Sequence, residues 1–121
     1  MRALAILLAS ALPALAGPAD DAADCAVLYR ANWEFEKATF DAVDVSDAWK
    51  GMSESYWAVA VRKGLAHGAI KIRMRDELAA MTEKVTLYTV GEDAKLVREI
   101  DKAFDVCVRI LDSEPEMAEW R

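Results

Sequence analysis

Two cysteines, Cys25 and Cys107, set the strictest limit on how this chain folds. They are its only cysteines, and about 80 residues separate them. A bond between them needs Cα atoms within roughly 6 Å of each other. Whatever lies between must therefore leave one end of the molecule and return to it.

The intervening pattern is helical. Ile70, Met74, Leu78, Met81, Val85 and Tyr88 step along the chain by fours and threes, as do Leu96, Ile100, Ala103, Cys107 and Ile110. Phe104 and Leu111 widen the second stripe. Two further helices precede these. One starts near Asp20 or Asp21, either of which can cap, and carries Cys25, Leu28, Tyr29, Trp33 and Phe40 on or near one face. It fades into residues 41–47, "DAVDVSD". The next is capped by Ser46 or Asp47, places Trp49, Met52, Tyr56, Val59 and Ala60 in register, and stops at Lys63-Gly64. Gly91 in "TVGED" punctuates the gap between the last two helices. Ser113-Glu114-Pro115-Glu116 has capping-box spacing and predicts a short final turn bearing Met117 and Trp120. The alternating "KIRMR" at 71–75 sits inside a longer helical repeat and is read as helix.

Cys25 lies about one turn past the start of the first helix, and Cys107 about one turn before the end of the last. With three helices the outer pair would be parallel and the sulfurs would sit at opposite ends. With four, up-down-up-down, the outer helices are antiparallel and the sulfurs share an end. The spacing therefore predicts an all-α, antiparallel four-helix bundle with its first and last helices joined by a disulfide. The chain-entropy model gives such a bond roughly 4 kcal/mol, against a total of about 5–15 kcal/mol for a domain. The alternatives are two buried free thiols or a redox pair; the latter usually takes Cys-x-x-Cys spacing.

A disulfide suits an oxidising compartment, and the N-terminus supplies an address. Arg2 is followed by an apolar run to Leu12, then Pro13 and Ala14-Leu15-Ala16. These are the parts of a secretory signal peptide, residues 1–16, cleaved to leave one domain over 17–121. The run is shorter than the about 20 apolar residues of a membrane span, and the residues before Cys25 lack a lipid-attachment pattern. The expected product is soluble, periplasmic or secreted, without stable membrane insertion; an uncleaved amphipathic anchor is the alternative. The chain is acidic, with a formal net charge of −6 that loss of Arg2 makes more negative. Nucleic-acid binding rests on neutralising phosphates with Lys and Arg, so that class is excluded.

Catalytic and metal chemistry is thin. His67 is the only histidine, and neither Cys-x-x-Cys-His nor Glu-x-x-His occurs. His67 with Met52, Met74 or Met81 is the basis for an alternative reading as a carrier of a small apolar ligand or non-covalent haem. The plainer reading has the methionines filling core gaps and His67 capping a carbonyl in the turn. An enzyme would have to use Glu36, near Asn32 and Trp33, or His67; pairing of Glu36 with a basic side chain from another helix is the structural alternative.

What remains is a surface. Arg62, Lys63, Lys71, Arg73 and Arg75 follow one another without an acid between Glu54 and Asp76. Trp57 adjoins Tyr56, and two neighbours 100° apart cannot both face the core. Tyr56 inward leaves Trp57 at the rim, beside the basic run. Exposed aromatics next to arginine are common in binding surfaces. The sequence thus predicts a non-enzymatic binding or accessory protein of the bacterial cell envelope, using no cofactor, with Trp57, Arg62, Lys63, Arg73 and Arg75 meeting another envelope protein or anionic lipid heads. The alternative is a solvated charged face with Trp57 half covered by the stems of Arg62 and Lys63.

Overall fold

The computed structural model describes residues 17–40 and 47–121. Among these the chain forms α1 (Pro18–Thr39), α2 (Ala48–Arg62), α3 (His67–Val90), α4 (Ala94–Ser113) and a closing 3-10 helix, Pro115–Trp120. The four helices pack as an antiparallel up-down-up-down bundle, and the Cys25–Cys107 disulfide joins the first to the last. The two Cα atoms are 5.7 Å apart. No strand occurs among the described residues, and "KIRMR" is helical. The predicted leader, residues 1–16, and Ser46 as a cap lie outside the described residues.

Local chemistry explains the boundaries. α1 begins earlier than Asp20: Pro18 occupies the first helical position, where its missing N–H costs nothing, and the Gly17 N–H donates to Asp20 at 3.5 Å. Gly64 (φ 118°) and Gly91 (φ 79°) take the left-handed conformations that end α2 and α3. Asp93 caps α4 by accepting from the Leu96 N–H at 3.0 Å. Ser113 is not the start of a capping box. It is the last residue of α4, and its hydroxyl donates to the Arg109 carbonyl.

α1 is the hub, packed against each of the other three α-helices. From Ala22 to Ala31 it is buried at every position but Asp24 and Arg30, and Ala22, Ala23, Ala26 and Ala31 are small enough to let its neighbours close in. Leu28, Tyr56, Ile70 and Val85 fill the space between the helices. Each fully buried large side chain contributes about 1.5–3 kcal/mol. Polar groups in this core are satisfied. Ser53 Oγ donates to the Ala26 carbonyl at 2.6 Å, and Tyr56 Oη donates to the Cys107 carbonyl at 2.8 Å. Burial pushes the phenol of Tyr56 far up, so it stays protonated and keeps that bond.

The expected face of α1 ends short of Phe40. That residue lies past the last helical turn and is 63 % exposed. The final turn forms as expected. Met117 is fully buried, and the Trp120 ring lies over Gly51, where a Cβ would come within 2.6 Å of it. Trp120 Nε1 also donates to Ser55 Oγ. α2 is thus divided into three sides: Ser53, Tyr56 and Ala60 face the core, Gly51 and Ser55 face the tail, and Trp57 and Val61 face outward.

Candidate functional site

The outward side of α2 meets the first turns of α3 in an open groove of about 570 Å³. Trp57 forms its base. The indole N–H donates to His67 Nδ1 at 2.9 Å, and the two rings lie 5.0 Å apart, tilted by 46°. Nδ1 is the acceptor of this pair. His67 therefore braces Trp57 and does not cap a carbonyl. Ala58 and Val61, the latter 41 % exposed, extend the apolar base, while Glu54, Arg62 and Lys71 stand at the edge.

The five residues chosen from the sequence do not form one patch. Trp57 and Arg62 share the groove. Arg62 is turned to the tail, where it is bonded to Glu114 and, at 2.6 Å, to Glu116. Lys63 reaches Glu114 at 3.1 Å. These cations hold the Glu114 and Glu116 carboxyls below the usual carboxylate range. Arg73 points to the start of α1, meeting Asp20 at 2.6 Å and Asp24 at 2.8 Å, and it lowers the pKa of Asp20. Arg75 pairs with its neighbour Asp76. The run has no acid of its own, but the fold brings acids to it from both ends of the chain. Lys71 is the groove cation with no ion pair among the described residues.

The residues considered for catalysis or haem are also dispersed. Glu36 accepts from Trp49 Nε1 at 2.7 Å, so its partner is an indole and not the expected basic side chain. Asn32 donates to the Leu28 carbonyl. His67 bonds to Trp57, which lies two helical turns, about 12 Å, beyond Trp49 on α2. Met52 on α2 and Met74 and Met81 on α3 pack against the core while His67 sits outside, so these four do not converge. No set of three metal-ligating side chains occurs among the described residues.

Two arrangements escaped the sequence reading. Trp33 has Arg30, Lys37 and Lys50 over its ring at 4.8, 4.1 and 5.2 Å. Its indole N–H donates to Asp47 at 3.3 Å. The three-and-four spacing of Arg30, Trp33 and Lys37 was a readable signal; the approach of Lys50 from α2 was not. The second is a cleft beside the disulfide, assembled from three helices and visible in no single segment.

Comparison with known proteins gave no match. Neither a family model, nor a curated protein, nor a solved structure matches the chain. The functional reading therefore rests on the geometry alone. No helix among the described residues is long and apolar enough to cross a membrane.

Proposed function

We propose that the chain is an exported, non-enzymatic binding or accessory protein of the bacterial cell envelope, and that the Trp57 groove seats an apolar side chain of a partner protein. One observation carries this reading. A partly buried tryptophan lines the outer side of α2, held in place by His67 and continued by the exposed Val61. A rigid indole at a surface presents large apolar area at little entropic cost on binding. Lys71, unpaired, offers a contact to a carboxylate on the partner. The disulfide supports export, since such bonds persist in oxidising compartments. Arg62 and Lys63 serve this surface by fixing its edge through the tail, while Arg73 and Arg75 lie outside it.

Cross-linking in the native envelope, followed by mass spectrometry, tests the reading. Trp57→Ala and Lys71→Glu should each abolish a cross-link that the wild type forms, with helical circular dichroism retained in both and the melting temperature of Lys71→Glu within a few degrees of the wild type. An unchanged cross-link pattern in both variants would overturn it.

A further inference from the structure

A second recess lies between the first turns of α1, the middle of α3 and the second half of α4. Its volume is about 310 Å³, at the lower end of the about 300–1,000 Å³ usual for small-molecule sites. It is more enclosed than the Trp57 groove because three helices bound it. The Cys25–Cys107 disulfide, Leu28 and Met81 make the floor, and the α4 wall is Ala103, Val106 and Cys107, which carry no charge. Asp21, Asp24 and Glu77 form the rim.

These walls select a ligand. The carboxylates of Asp21 and Glu77 have no hydrogen bond or ion pair among the described residues, and Asp24 shares the guanidinium of Arg73 with Asp20. Three rim carboxylates thus face a single, already divided cation. The surrounding chain is acidic as well, which concentrates cations near such a mouth. An anion is repelled. A bare metal ion is not suited either: the three acids do not converge into a ligating set, and the floor offers no oxygen. A neutral apolar molecule fits the floor but leaves the rim charges unanswered.

We propose that this cleft binds a small organic cation, an amine or quaternary ammonium on a short aliphatic or single-ring body. The carbon skeleton lies on Leu28, Met81 and the disulfide, and the charge sits at the rim between Asp21, Asp24 and Glu77. The site is separate from the Trp57 groove and does not depend on it.

Amide NMR titration of the oxidised chain tests this, with phenethylammonium, hexylammonium and benzyltrimethylammonium as probes and phenethyl alcohol and phenylacetate as controls. At least one cation should shift residues 21–28, 77–81 and 103–107 saturably. Phenylacetate should not, and phenethyl alcohol should bind at least tenfold more weakly than phenethylammonium. Asp21→Asn with Glu77→Gln should weaken cation binding at least tenfold, and Val106→Phe should fill the cleft and abolish it. Both variants keep the disulfide and their helical circular dichroism. Silence from all three cations, shifts confined to other residues, or equal response to phenethyl alcohol and phenethylammonium would overturn the proposal.

Discussion

The Trp57 groove and the cleft beside the disulfide are built from the same bundle but treat charge in opposite ways. At the groove, Arg62 is held by Glu114 and Glu116 of the tail, its neighbour Lys63 by Glu114, and Lys71 is the cation left without an ion pair among the described residues. At the cleft, one guanidinium serves Asp20 and Asp24 together, and Asp21 and Glu77 stand unpaired. The groove is shallow, on one side of α2, whereas the cleft is bounded by α1, α3 and α4. The difference shows that abundance of a charge in a sequence segment says little about its availability. Availability depends on what the fold brings alongside, and here the tail and the start of α1 bring acids to a basic run.

The largest effect should come from the covalent link under the cleft. Cys25→Ser with Cys107→Ser should lower the unfolding free energy by about 4 kcal/mol, since the bond closes a loop with a sequence separation of 82. Urea denaturation measures this. The amides lining the cleft should move more than those of the Trp57 groove, because the sulfurs floor one and not the other. A loss below about 1 kcal/mol, or equal disturbance of both recesses, would break the contrast.

A smaller effect tests the tie between the two. Tyr56 sits one residue from Trp57, and its hydroxyl bonds to the carbonyl of Cys107 in the cleft floor. Tyr56→Phe keeps the ring and removes one buried hydrogen bond, for an expected loss of about 1 kcal/mol. Chemical-shift changes should reach residues 106–108 as well as α2. Changes confined to α2 would mean that the Tyr56 hydroxyl does not brace the Cys107 carbonyl.

How much of this was legible in the sequence follows from the range of the interactions. The helices were, because side-chain spacing within one segment sets which face is apolar: Leu96, Ile100 and Cys107 are all buried. So was the number of helices, because Cys25 and Cys107 convert a single bond into a statement about direction. The beginning of α1 was misplaced because Pro18 at its first position outranked the two aspartates as a start signal. The ion pairing of the basic run was not legible for a different reason. Asp20 and Glu114 are more than 50 residues from the arginines Arg73 and Arg62 that they bind, and linear charge counting does not register such partners. The inward turn of Tyr56 and the rim position of Trp57 needed only the 100° step between neighbours, and both occur.

The smallest expected effect concerns pH, and it acts on the two recesses through different residues. Asp20 has its pKa lowered chiefly by the hydrogen bond from Arg73, Glu114 by that from Lys63, and Glu116 by that from Arg62. A carboxyl whose folded pKa lies below its unfolded value stabilises the fold above the unfolded pKa. That contribution is lost as pH falls through the folded one. With unfolded carboxyls near pH 4, these three make stability decline below about pH 5, while Asp24, whose pKa burial raises, works in the opposite sense. The Asp20–Arg73 pair is near the surface, so its share is about 1 kcal/mol or less. Thermal melts from pH 6 to pH 3 should show a shallower decline for Asp20→Asn than for the wild type. Glu114→Gln with Glu116→Gln should flatten the decline in the same direction, with the change read at Trp120 and Arg62 and not at the cleft. If both variants followed the wild-type curve, the pairs would be contacts without energetic weight. The groove edge would then be as open to a partner's charge as the cleft mouth is.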